Sequence, residues 1–157
     1  MFDDLGDLYQ QLILDHNARP RNFGQMPDAT HKADGYNPLC GDKVTIFLQV
    51  QADTITGVRF DGQGCAISRA SASLMTDALS GKPLAEVEAL FAAFHSLLTQ
   101  EPPPDDAPVP TDAVALGKLE AFSGVREFPM RVKCATLPWH TLRAALQQQQ
   151  QPVSTEA

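Results

Sequence analysis

Three cysteines and one aspartate are the residues best equipped for chemistry. Cys40 and Asp42 flank Gly41 in "NPLCGDKVTIFLQV", Cys65 follows a glycine in "DGQGCAIS", and Cys134 stands in "VKCATLPW". Each lies beside glycine, proline or charge and outside the apolar stripes. Three thiolates and a carboxylate complete a tetrahedral shell of the kind Zn²⁺ takes, and Asp42 is the nearest oxygen donor to a cysteine. A free cysteine is also a small hydrophobe that cores bury, and a turn aspartate bonds its own backbone. Structural zinc sites usually announce themselves by ligand pairs about two to four residues apart, and no two cysteines here are that close. Spacing alone leaves both readings standing.

The four histidines offer further nitrogen ligands. His16, near the end of a helical pattern, reads as a cation complementing the helix dipole; His31 falls in a polar loop and His95 on a helix. His140, shortly after Cys134, reads as packed or facing water on the last helix. Arg126, Arg131 and Lys133 read as a solvated rim or, beside Cys134, as cations that dock an acidic surface or stabilise a thiolate.

The elements that must position these groups follow from periodicity. Leu5, Leu8, Leu12 and Ile13, with Tyr9, recur at helical spacing, and "NARPRNFG" stops that helix with Pro20 and Gly24. Val44–Val50 and Ile55–Phe60, separated by Ala52 and Asp53, predict an antiparallel hairpin, so the loop carrying Cys40 and Asp42 leads into its first strand. Cys65 then sits at a strand-to-helix turn before a helix over Ile67–Leu79 that ends at Gly81. A helix over Leu84–Leu98 gives way to the connector "QEPPPDDAPVP". A short helix over Leu116–Phe122, closed by Gly124, and a last helix from Pro138 to Leu146 complete the set, with Cys134 just ahead of the latter. The pattern predicts one α+β domain, a small antiparallel sheet packed against helices, over residues 1–146, with a flexible tail over 147–157.

Composition narrows the function. A chain of 157 residues, 43% hydrophobic, supports one real core. Its net charge of −7, with no Lys/Arg stripe, argues against nucleic acid and anionic lipid as partners. The acidic start "MFDDLGDLYQQ" has no basic region leading into an apolar one, and no apolar run approaches the roughly 18 residues of a membrane span. A cytoplasmic protein with reduced thiols is expected.

At the level of whole blocks, "LYQQLILDHNARPRNFG", "NPLCGDKVTI", "FDGQGCAISRASASLMTDALSGK" and "VKCATLPWHTL" resemble successive segments of the IscU/NifU-like iron–sulfur cluster assembly family, in particular its SufU branch. The order and joint occurrence of the blocks, over most of residues 8–142, make the resemblance specific. It implies an IscU/SufU-like single domain with Cys40, Asp42, Cys65 and Cys134 as metal ligands. It also implies bound zinc and a partner, a pyridoxal-phosphate cysteine desulfurase, whose persulfide sulfur passes to Cys40 when a desulfurase histidine takes the place of Cys40 on the metal. Downstream cluster-assembly proteins are further implied partners.

Two positions separate the chain from IscU-type scaffolds, which carry histidine immediately before the third cysteine and a Leu-Pro-Pro-Val-Lys segment read by a chaperone. Here the first position is Lys133, which cannot ligate while protonated, and the second segment is "EFPMR". The stretch before Cys134 is also longer, as the SufU branch implies. The leading expectation is therefore a zinc-dependent, sulfurtransferase-like sulfur acceptor and carrier. Its alternatives are a scaffold that builds an iron–sulfur cluster on the same four ligands, and a fold merely stapled by zinc.

Overall fold

The structure is a computed structural model and describes residues 4–38, 41–99, 116–147 and 153–154. The chain runs α1 (Asp4–Ala18), β1 (His31–Asn37), β2 (Asp42–Gln51), β3 (Thr54–Gln63), α2 (Ala66–Leu79), α3 (Leu84–Thr99), a 3-10 segment (Gly117–Glu127), α4 (Pro129–Leu146) and β4 (Val153–Ser154). The sheet order is β3-β2-β1-β4. The first three strands form an antiparallel meander, and β4 adds a short parallel rung against Gly35 and Tyr36. This is the α+β architecture that the sequence predicts.

Alternation explains the sheet's two faces. Val44, Ile46 and Leu48 on β2 and Val58 and Phe60 on β3 all point into one core. There α4 crosses β1 and β2 while α2 lies on β3. β1 and α4 approach so closely that a Cβ on Gly35 would collide with the Thr141 hydroxyl. Beyond α4, Trp139 stacks on Phe94 with ring centroids 4.8 Å apart, and Phe94 meets Phe122 edge-on at 5.7 Å. These rings tie α3 and the 3-10 segment into the same core.

Several expectations need correction. His31 opens β1 and does not lie in a polar loop. The strand "HKADGYN" buries Ala33, Gly35 and Asn37, which are too small or too polar to advertise its period-two pattern. The last helix starts at Pro129, with Pro138 inside it, so Cys134 lies in its second turn and not ahead of it. Proline has no N–H to give the Cys134 carbonyl four residues back, and its ring crowds the preceding turn. One residue further on, the Ser71 hydroxyl of α2 donates to the Ala135 carbonyl, a buried bond that ties α2 to this turn of the last helix. The short helix read over 116–122 is a 3-10 segment that runs on to Glu127. The proline-rich connector lies outside the described residues; within the stretch read as a tail, Val153 and Ser154 form β4.

Candidate metal centre

The site grows from the end of the β1–β2 hairpin. Asn37 and Asp42 are the last register partners of that ladder, so their side chains leave the same face. Both are buried, at 1% and 2% exposure. The connection between them contains residue 40, and Cys40 itself lies outside the described residues.

β3 returns alongside and delivers the second candidate ligand through a glycine-dependent turn. Gly62 has φ +134°, and a Cβ there would strike the Lys43 carbonyl. Only glycine adopts that backbone without strain. Cys65 then occupies the N-cap of α2, with extended backbone angles of −71° and 169°. Its N–H donates to Asp42 Oδ1 at 2.8 Å, and its Sγ stands 3.9 Å from Asp42 Oδ2. A carboxylate thus fills the space before a helix N-terminus, where the dipole favours negative charge.

Cys134 completes the group from α4. It is 1% exposed, and Asn37 Nδ2–H donates to its Sγ at 3.4 Å. One donor atom from each of Asp42, Cys65 and Cys134 lies within 4.8 Å of the other two. The Cys65 thiol is pulled down to about 6, first by its hydrogen bond with Cys134 and then by the Ser68 and Ile67 amides, against burial and the Asp42 charge. A thiol so lowered is largely thiolate at neutral pH, the form that binds metal and attacks sulfur.

The donor set can be tested against the zinc that the resemblance implies. Tetrahedral coordination, with Zn–S about 2.3 Å and Zn–O about 2.0–2.2 Å, spaces ligand atoms roughly 3.3–3.8 Å apart. Two sulfurs and a carboxylate oxygen within 4.8 Å approach that spacing, and their chemistry suits a borderline-soft, non-redox ion. The residues fit.

Cys65 and Cys134 contribute to the lining of a cavity of about 750 Å³ whose walls also include Ile13, Leu14, Ile67, Val125 and Phe128. Among the described residues that line it, Arg131 is the one that carries a charge, on a chain of net charge −7. Leu14 and Phe128 on its wall, and Met130 next to it in sequence, are each about half exposed.

Of the sequence-predicted ligands the structure brings Asp42, Cys65 and Cys134 together, and no histidine joins them among the described residues. His16 is not an exposed helix-end cation: at 1% exposure it meets Ser73 Oγ through Nδ1 at 2.7 Å, and burial lowers its pKa. His140 packs edge-on to Phe91, with His95 6.1 Å away. Asn37 escaped the sequence reading because an amide three residues before a cysteine resembles an ordinary turn residue; only the register with Asp42 gives it a place at the sulfur.

A three-stranded antiparallel meander backed by helices, with two thiols and a carboxylate gathered at one end, defines an α+β domain with a candidate metal site. Residues 8–135 match the NifU-like N terminal domain, and the chain belongs to that family. It is 37% identical over 139 residues to the zinc-dependent sulfurtransferase SufU of Bacillus subtilis, covering 88% of this chain and 89% of that one. It is likewise 37% identical over 142 residues to the iron–sulfur cluster assembly scaffold protein IscU of Streptococcus pyogenes, covering 90% and 84%. Among solved structures, a putative iron–sulfur cluster assembly scaffold protein for the SUF system from Fervidobacterium islandicum superposes with a TM-score of 0.75 at 32% identity, covering 87% of this chain and 94% of that one.

Proposed function

We propose that the protein is a zinc-dependent sulfur acceptor and carrier that takes persulfide sulfur from a cysteine desulfurase through Cys40. The observation that carries this reading is the convergence of Asp42, Cys65 and Cys134 within 4.8 Å, three donors of a tetrahedral set with Cys40 as the fourth. Cys40 lies two residues from Asp42, and two peptide units span at most about 7 Å between Cα atoms, so the chain keeps the thiol within reach. Zinc held by Cys40, Asp42, Cys65 and Cys134 would keep the sulfurs as thiolates without redox chemistry of its own.

In the transfer, the Cys40 thiolate attacks the outer sulfur of the desulfurase persulfide. A new S–S bond forms at Cys40, the old one breaks, and the desulfurase cysteine leaves as thiolate. The half-exposed Leu14 and Phe128 on the cavity wall, with Met130 half-exposed nearby in the sequence, give the partner an apolar surface to cover. No helix among the described residues is long and apolar enough to cross a membrane, and the reduced thiols suit the cytoplasm.

A cluster scaffold on the same ligands is the second reading, favoured by the likeness to proteins named as IscU scaffolds. Lys133, which offers no ligand when protonated, weighs for the carrier. Metal analysis of the purified protein, followed by a desulfurase assay without added iron, separates the two. Bound zinc with stimulated sulfur release supports the carrier; activity that demands iron and leaves a coloured cluster on the protein supports the scaffold.

A further inference from the structure

Asn37 is an uncharged, fully buried side chain that spends an N–H on a sulfur atom. Its place follows from the ladder. Because Asn37 pairs with Asp42, one rung delivers both the acid of the site and a donor to Cys134. Each of the three converged groups therefore meets an N–H: Asp42 that of Cys65, Cys65 those of Ser68 and Ile67, and Cys134 that of Asn37.

Such donors matter to a thiolate. An N–H pointed at sulfur draws on its lone pairs, which orients it for a metal and makes it a poorer nucleophile. An amide does this without adding charge. A carboxylate at the same place would repel the thiolates, and a buried ammonium would carry a desolvation penalty.

We propose that Asn37 is the positioning residue that fixes Cys134 as a retained ligand, so that sulfur acceptance falls to Cys40. The inference rests on the carrier reading for its functional half, while its structural half, the hold on the Cys134 sulfur, stands without it.

The test uses the full chain with Asn37→Ala and Asn37→Ser; serine keeps a polar group at the strand end but is too short to reach the sulfur. Far-UV circular dichroism first establishes that each variant is folded, and Asn37→Ser carries the test if Asn37→Ala is not. In the metal-free proteins, loss of the donor should raise the alkylation rate of Cys134 relative to Cys65 several-fold. With cobalt(II) as the probe, the sulfur-to-metal charge-transfer band should move to longer wavelength, because an unsupported thiolate gives up its electrons more easily. Zinc affinity, measured by chelator competition, should fall about 10- to 100-fold, the usual cost of losing a partner that orients a ligand. After incubation with desulfurase and cysteine, the adduct of about 32 Da should spread from the Cys40 peptide to the Cys134 peptide. An unchanged alkylation ratio, an unmoved band and an adduct still confined to Cys40 would overturn the proposal. Wild type that takes up no sulfur at Cys40 sinks the carrier reading instead, and leaves the alkylation and cobalt results to decide the role of Asn37.

Discussion

Gly64 leaves room for the Asp42 carboxylate: a Cβ on residue 64 would stand 2.6 Å from Asp42 Oδ1. The same oxygen accepts the Cys65 N–H at 2.8 Å, so a missing side chain at one residue lets the next hold the acid. Gly64→Ala should push the carboxylate off that amide. Losing a hydrogen bond to a charged acceptor costs about 1.5–3 kcal/mol, and zinc affinity should fall about tenfold or more because the oxygen is no longer aimed. Urea denaturation of the metal-free protein and chelator competition of the zinc form measure the two effects. Wild-type values for both would show that Asp42 does not depend on this contact.

His16 should make the fold sensitive to mild acid. Its ring lies against Ser73, whose hydroxyl oxygen already accepts the Arg21 N–H at 2.8 Å and so can donate its own proton to a neutral imidazole. Burial, seconded by the Arg21 charge, lowers the folded pKa below the ordinary 6.5. In the interval beneath 6.5 the unfolded chain binds the extra proton, so stability is fully present above that pH and is lost as pH falls through the folded value. His140, also lowered by burial and by His95 and Arg143, acts in the same direction. His16→Asn, which keeps an acceptor for Ser73 but does not titrate, should show a shallower loss. Urea midpoints of the metal-free proteins from about pH 7.5 to 5 compare the slopes across the ordinary histidine range. Parallel slopes would remove His16 as a source of the pH dependence.

The hairpin β2–β3 and helices α1, α2 and α3 were legible because their apolar residues repeat at the period of the element. β1 was not, since Ala33, Gly35 and Asn37 carry its buried face. Pro138 misled for a physical reason. Proline ordinarily marks a helix start or kink, yet here α4 runs through it, packed on its buried side against α2 and the sheet. Cys134 consequently moved from a loop to a buried helical turn. At the site, residue type together with the family resemblance pointed to Cys40, Asp42, Cys65 and Cys134, the last three of which converge, whereas Asn37 and Gly64 act through register and close approach, which one dimension does not display.

Cys65 should titrate well below an ordinary thiol. Its pKa of about 6 depends first on the hydrogen bond with Cys134 and then on the amides at the start of α2. In the metal-free protein, iodoacetamide labelling of Cys65 should follow a curve with its midpoint at about 6. Cys134→Ala should move that midpoint upward, because it removes the largest favourable contact while leaving the helix amides. Peptide mass spectrometry across the pH range reads both curves. A wild-type midpoint near the ordinary thiol value of about 8.5 would contradict this arrangement.

Removal of Cys40 and removal of Cys134 should have different consequences. Cys134 is 1% exposed in the second turn of α4, held by Asn37 and hydrogen-bonded to Cys65; Cys40 belongs to the connection that follows Pro38 and precedes Gly41. Gly41 has φ +73°, and among the described residues nothing stands within 4 Å of where its Cβ would be. If Cys40 serves as the exchangeable ligand, Cys40→Ser should leave the unfolding free energy of the metal-free protein within about 0.5 kcal/mol of wild type. It should nevertheless abolish the desulfurase-dependent adduct of about 32 Da. Cys134→Ser puts a hydroxyl where a buried sulfur was and should lower stability by about 1–3 kcal/mol as well as weakening metal retention. Denaturation, metal analysis and peptide mass spectrometry on the two variants test this separation. A persistent adduct in Cys40→Ser, on Cys65 or Cys134, would move the acceptor role to another sulfur; equal losses of stability in both variants would make Cys40 a structural ligand like the rest.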